Sequence, residues 1–207
     1  MSLLLLFGGN GGAATTYALW NPDDKSADIT LASGNTRATC TATYPAWRSV
    51  RSTLGFTTGD RYAEIAIQGA ALESSPYVTA CVADAAHSLE NRSGTVGNNG
   101  WGIMTAGFSL SPGSAVNDLL PFNDVRIGVS MLRSTDTVKF YNVTSGTAVL
   151  IKSFDISSIS GTALYLLTSI TTQDGNTSAS GQSFIFCDPA DFVVNTVPDS
   201  ITEYFSE

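Results

Sequence analysis

The chain is predicted to be an all-β protein, a sandwich of two antiparallel sheets packed face to face. Apolar residues recur at every second position or in short runs broken by Gly, Asn, Asp, Ser and Pro, which is the signature of strands and turns. No segment carries a sustained helical period. Apolar residues make up 43% of the chain and charged residues 14%, the balance of a folded protein rather than a disordered one.

At 207 residues the chain fits one large sandwich with short extensions, and a domain of this size buries about 70% of its unfolded surface. The strand candidates are Asp28 to Leu31, Arg37 to Thr43, Arg61 to Ile67, Tyr77 to Val82, Trp101 to Thr105, Val125 to Leu132, Thr137 to Asn142, Ala148 to Phe154, Leu164 to Ser169 and Ser183 to Asp188. In Tyr62 to Ile67, alternation places Ala63, Ile65 and Ile67 on one face and Tyr62, Glu64 and Ala66 on the other. The same period turns Val125, Ile127, Val129 and Met131 inward and Arg126, Gly128 and Ser130 outward, and it separates Val138 and Phe140 from Lys139 and Tyr141. Strands with one apolar face each, and no helices between them, require a second sheet to bury that face.

The polar, glycine-rich stretches from Leu89 to Gly100 and from Thr171 to Gly181 read as exposed loops. Near the start, Leu3, Leu4, Leu5, Leu6 and Phe7 form an apolar run with no basic residues before it. It is shorter than the roughly 7–15 residues of a secretory core or the about 20 of a membrane span. It reads as a strand or docking segment, followed by a hinge at Gly8 to Gly12. The expected organisation is therefore residues 1–19 as docking segment and hinge, 20–194 as the sandwich and 195–207 as a C-terminal tail.

A formal net charge of −8 and an isoelectric point near 4.4 repel phosphate backbones and anionic membrane surfaces. The ten Lys and Arg residues are scattered, so no nucleic-acid partner and no membrane insertion are expected. Cys40, Cys81 and Cys187 lie far apart, with no CxxC or CxxH spacing. They read as small buried core residues.

Catalytic chemistry finds little to work with. His87 is the single histidine and sits among Ala85, Ala86 and Ser88, so it reads as a plain surface or hydrogen-bonded loop residue rather than a base. A glycanase on such a scaffold needs two carboxylates about 5–9 Å apart, and Glu64 stands alone on its strand; it reads as the partner of an Arg or backbone donor at a sheet edge. Asp23, Asp24 and Asp28 cluster, but calcium takes about six to eight oxygens, and a solvated turn with Asp23 or Asp24 capping backbone amides is the plainer reading. No catalytic residue, metal ligand or cofactor is expected. Of the tryptophans, Trp101 reads as core, whereas Trp47, in the loop-like stretch Tyr44 to Arg48, reads first as a packing ring and second as an exposed platform for ligand contact.

Several segments in order carry a family resemblance. Trp20-Asn21-Pro22-Asp23-Asp24-Lys25 leads into Ile29-Thr30-Leu31, and Val50-Arg51-Ser52-Thr53 precedes Thr58-Gly59-Asp60-Arg61-Tyr62-Ala63-Glu64-Ile65. Tyr77 to Val82, Gly100-Trp101-Gly102-Ile103, Val125 to Val129, Val138 to Asn142 and Leu164-Tyr165-Leu166 follow. This order resembles the SPRY (B30.2-like) family from about Trp20 to Phe192, and in particular the SPRY-like domain found in virion structural and fibre proteins of tailed bacteriophages. The opening Met1 to Gly9 is also similar to the start of small phage tail or head-fibre proteins. Asp60-Arg61 stands where the family usually has Lys and Trp, and Thr79 replaces the usual Gly, so loop chemistry is not carried over.

The resemblance implies a SPRY-like, concanavalin-like jelly roll that binds through loops on one edge. It implies a non-enzymatic virion protein: a tail, fibre or adhesin module, with a capsid decoration or head-fibre protein and a cellular peptide-binding adaptor as alternatives. Ligand contact is placed at Trp47, Arg48, Asn98 and Asn99. The implied partners are other virion proteins and a host-surface glycan or protein. The implied location is the virion, assembled in the host cytoplasm, and a fibre-like role brings an expectation of homo-oligomers.

Overall fold

The computed structural model describes residues 15–42, 46–69, 76–92, 94–95, 97–171 and 181–207. The expected docking run Leu3 to Phe7, the Gly8 to Gly12 hinge, Thr43 to Pro45 and most of the loop from Thr171 to Gly181 lie outside them.

The described residues form fourteen strands: β1 (Trp20–Lys25), β2 (Ile29–Ala32), β3 (Arg37–Cys40), β4 (Trp47–Phe56), β5 (Arg61–Gln68), β6 (Thr79–Ala83), β7 (Gly100–Met104), β8 (Phe108–Ser111), β9 (Ser114–Asn117), β10 (Val125–Leu132), β11 (Thr137–Asn142), β12 (Val149–Asp155), β13 (Leu164–Thr171) and β14 (Gln182–Phe186). They build two seven-stranded sheets, ordered β1-β4-β13-β6-β7-β8-β9 and β12-β11-β10-β5-β14-β3-β2. Every strand pair in both sheets is antiparallel. Three short 3-10 turns are the only helical pieces among the described residues, and no helix is long and apolar enough to cross a membrane.

The predicted sandwich is thus what the chain forms, and the ten candidate strands all lie on observed ones. Four further strands escape a reading by alternation. β1 contains Pro22 and a register shift between Trp20 and Lys25, both tolerated because it is the edge of its sheet. β4 carries polar side chains on both faces, with Ser49, Arg51 and Ser52 all buried. β8 and β9 are four residues each and close as a hairpin over Pro112-Gly113, where Gly113 takes φ +70°. Pro followed by a left-handed Gly is the composition of a tight type II turn.

The main core lies between the sheets. Ala63, Ile65, Ile67, Ile127, Val129 and Met131 face it from the second sheet, opposite Val50, Val82, Trp101 and Leu166 of the first, as alternation requires. Trp20 is fully buried and its indole N–H donates to the Ser183 carbonyl at 3.4 Å, joining β1 to β14 across the layers. Cys40, Cys81 and Cys187 are buried thiols, and burial pushes the Cys187 thiol well above its ordinary range.

The opposite faces of the sheets are also covered. Residues 195–207, expected as a tail, lie against the second sheet through Ile201 and Tyr204 and run beside residues 16–18. Phe205 is fully buried in the core between the sheets, edge-on to Phe56 at 5.4 Å, and the Thr16 and Glu207 backbones exchange hydrogen bonds of 2.9 and 2.8 Å. Phe192 and Tyr204 pack their edges around the Tyr62 face. Gly128 makes room for this arrangement, because a Cβ there would stand 2.5 Å from the Tyr62 hydroxyl.

Glu64 is the polar centre of that covered face. The sheet-edge position expected for it is corrected by the topology: β5 runs between β10 and β14, and Glu64 is fully buried. The extra cover comes from a segment distant in sequence, which strand alternation does not report. The carboxylate accepts from Arg126 Nε at 2.6 Å, the Tyr62 hydroxyl at 3.2 Å, and the Val193 and Val194 amides at 3.0 and 3.2 Å. A buried charge is tolerable when it is paired and fully hydrogen-bonded. Glu64→Gln removes the pairing charge while keeping the side chain's size, and is expected to lower stability by about 3 kcal/mol. Urea unfolding of the two proteins measures this, and a difference within experimental error would show that the carboxylate does not fasten the segment.

Candidate functional site: an aromatic cavity on the first sheet

The outer face of the first sheet carries a second apolar cluster, built on Cys81, Ala83, Met104, Leu110 and Leu167. The chain from Asp84 to Asn99 folds over part of it, because β4 offers polar fasteners at alternate positions. Arg51, on β4, is 6% exposed. It holds Asp24 with Nε and Nη2 at 2.6 and 2.7 Å, and donates from Nη1 to the His87 carbonyl at 2.7 Å and to the Asp84 carbonyl at 3.3 Å. Ser49 donates its amide to the Leu89 carbonyl at 2.8 Å and its hydroxyl to the Asn91 carbonyl at 2.7 Å.

Within the loop, the Asp84 carboxylate accepts from the Ala86 and His87 amides at 3.0 and 3.1 Å and from Asn99 Nδ2 at 2.7 Å. The Asn98 side chain accepts from the Ser88 amide at 3.1 Å. Asn98 is buried at 5% exposure. Arg48 is paired with Asp28 at 2.6 Å and with Glu90 at 3.1 Å, its side chain 9% exposed. Of the four side chains expected to contact a ligand, Arg48, Asn98 and Asn99 therefore shape the loop from within. The acidic cluster is resolved in the same way: Asp24 and Asp28 are held by Arg51 and Arg48, where capping of backbone amides in a solvated turn was expected. Among the described residues no group of three or more His, Cys, Asp or Glu side chains is placed to hold a metal ion.

Trp47 is the expected residue that reaches a cavity. It opens β4 half-buried and stacks nearly parallel to Tyr77, with centroids 6.3 Å apart and planes 16° apart. Arg92, from the loop, rests its guanidinium 5.6 Å above the Trp47 ring, a cation–π contact. With Met104, Ala106, Phe108 and Thr171 these rings line a cavity of about 370 Å³. Tyr77, Arg92 and Phe108 were not foreseen. Tyr77 precedes a strand whose alternation describes the other face, Phe108 lies on a strand that its four-residue length conceals, and Arg92 reaches the site only through the loop's fold.

The arrangement resembles known structures. The chain matches the TRIM65 PSpry domain at 13% identity with a TM-score of 0.60, over 82% of this chain and 88% of that one. It matches the SPRY domain of human HERC1 at 12% identity and a TM-score of 0.60, over 81% and 96%. The fold is that of a SPRY domain. A third match is a stonustoxin structure at 17% identity and a TM-score of 0.62; it covers 82% of this chain, which spans about a quarter of that one, 27%. No protein-family model and no curated protein sequence matches the chain. The aromatic cavity sits beside the loop between β6 and β7 and the end of β13 at Thr171.

The loop contains a titratable group with a defined consequence. Burial pushes the His87 imidazole down to about 4, with the Arg51 guanidinium adding to the shift and Asp84 opposing it. In the unfolded chain a histidine takes its proton near pH 6.5. Between pH 6.5 and 4 the unfolded state then binds more protons, so stability is complete above this window and falls as pH drops through it, by roughly 2–3 kcal/mol. Denaturant unfolding across this range is expected to show a steeper decline for the native protein than for His87→Gln, and superimposable pH profiles would sink the assignment.

Proposed function

We propose that the chain is a non-enzymatic binding module, which takes an apolar or aromatic side chain of a protein partner into the cavity at Trp47, Tyr77 and Phe108. The observation that carries this is the stacked Trp47 and Tyr77 pair beside a loop immobilised by Arg51, Asp84, Asn98 and Asn99. Aromatic anchors in a preshaped cavity supply most of the energy of typical protein contacts. Little ordering cost remains when the surrounding loop is already hydrogen-bonded.

The finer reading follows the phage-like resemblance of the sequence: a virion component, a tail, fibre or adhesin module that contacts the host surface or another virion protein. The Trp20 to Phe192 segments and the Met1 to Gly9 opening support it. A head decoration protein and a cellular adaptor are the rivals. Mass spectrometry of purified virions separates them: tail-like copy number supports the leading reading, capsid-like copy number the second, and absence the third.

The cavity itself is tested with a random-peptide display library panned against the purified protein. Selected peptides are expected to carry an aromatic or other large apolar anchor, and Trp47→Ala to weaken their binding by about tenfold or more at little cost in melting temperature. Peptides without such an anchor, or binding that survives Trp47→Ala and Phe108→Ala, would refute the assignment.

A further inference from the structure

A second concave surface lies on the outer face of the other sheet, where the cover provided by the C-terminal segment stops at Val193. Across four neighbouring strands the register sets Arg37 of β3 opposite Phe184 of β14, Phe184 opposite Ala66 of β5, and Ala66 opposite Arg126 of β10. These side chains share the outer face, because their neighbours Ala38, Ile185, Ile65 and Ile127 point into the core. Ala66 leaves a depression between the Phe184 ring and Arg126. The resulting groove of about 690 Å³ is edged by Gln68, Gln182, Asp124 and Thr144.

The chemistry along this groove is unlike that of the aromatic cavity. Phe184 is partly buried and offers a flat apolar face to the groove. Gln68 and Gln182 face each other across β5 and β14, placing two amides at one end. Arg126 is fixed rigidly, lying 3.6 Å above the Phe186 ring while bonded to Glu64 and to the Asp191 carbonyl. The Asp124 carboxylate, which lines the groove, takes the Gly69 amide at 2.9 Å. Among the described residues Arg37 makes no ion pair, and its buried Nε has no hydrogen-bond partner.

We infer that this groove is a binding site for an acidic sugar, with the pyranose ring lying on Phe184, its hydroxyls met by Gln68, Gln182 and Asp124, and its carboxylate held by Arg37. An aromatic face suits the C–H side of a sugar ring, while planar amides and carboxylates pair with vicinal hydroxyls. An arginine with donors to spare selects a carboxylate through charge-assisted, bidentate bonding. In a chain of net charge −8, the Arg37 cation opposite Phe184 favours an anionic ligand locally against the general field.

The test is a ¹⁵N–¹H titration of the full chain with N-acetylneuraminic acid, glucuronic acid, galactose and acetate, each followed at the Gln68 and Gln182 side-chain amides. The acidic sugars are expected to shift these signals, with galactose bound about tenfold more weakly and acetate failing to reproduce the pattern. Arg37→Gln is expected to bring the acidic sugars down to the galactose level, and Phe184→Leu, which keeps apolar bulk without a flat ring, to weaken all the sugars. Trp47→Ala is expected to leave these shifts unchanged, so the two sites stand or fall separately. The inference is overturned by absence of shifts with the acidic sugars, by equal binding of galactose, by acetate giving the same pattern, or by undiminished binding to Arg37→Gln.

Discussion

Burying a charged carboxylate at the middle of a sheet constrains everything around it. Glu64 has no water to solvate it, so its neighbours must provide donors, and four do: a guanidinium, a phenol and two consecutive backbone amides. Those amides belong to Val193 and Val194, more than a hundred residues away in sequence. The requirement thereby decides where the C-terminal segment lies, and with it the packing of Phe192, Tyr204 and Ile201 over Tyr62. Burial and the neighbouring carboxylate together push the Tyr62 phenol far above its ordinary range, so it remains a donor to Glu64. The same arrangement ends at Val193, and the second sheet's groove begins there.

The first sheet meets the equivalent demand with arginine in place of glutamate. Arg51 and Arg48 project from one strand, and each neutralises an acid from the β1 to β2 region while gripping the loop after β6. The two outer faces are therefore covered by opposite chemistry: an anion collecting donors on one, cations collecting acceptors on the other. In both cases a segment without regular secondary structure is positioned as firmly as a strand, because its backbone groups complete the coordination of a buried charge.

Much of this architecture could be read from residue order, and the limits have a physical cause. Alternation in β5, β10 and β11 identifies the faces that meet between the sheets, since Ile65, Val129 and Phe140 have no other way to be buried. Alternation cannot reveal that Tyr62, Glu64 and Gly128, on the opposite face, are covered as well, because that depends on a segment far along the chain. β4 was missed for a related reason: its serines and arginines look solvated until the loop from Asp84 to Asn99 is in place. Residue type marked Trp47 as a contact ring, but it could not separate Asn98 and Asn99 as loop fasteners from surface residues. That distinction rests on which donors the fold brings within reach. Arg37 carried no sequence signal, because what marks it is the absence of an ion pair among the described residues.

The backbones of Thr16 and Glu207 are joined by two hydrogen bonds, and Ala18 adds a third to Phe205. With its two ends held side by side, the sandwich has the geometry of a closed loop entered and left at one point. A unit entered at Thr16 and left at Glu207 can be spliced into a surface turn of another polypeptide without prying the host strands apart, or recut at a different loop with these two points bridged by a short linker. Both grooves would keep their relation to the sheets after such a rearrangement.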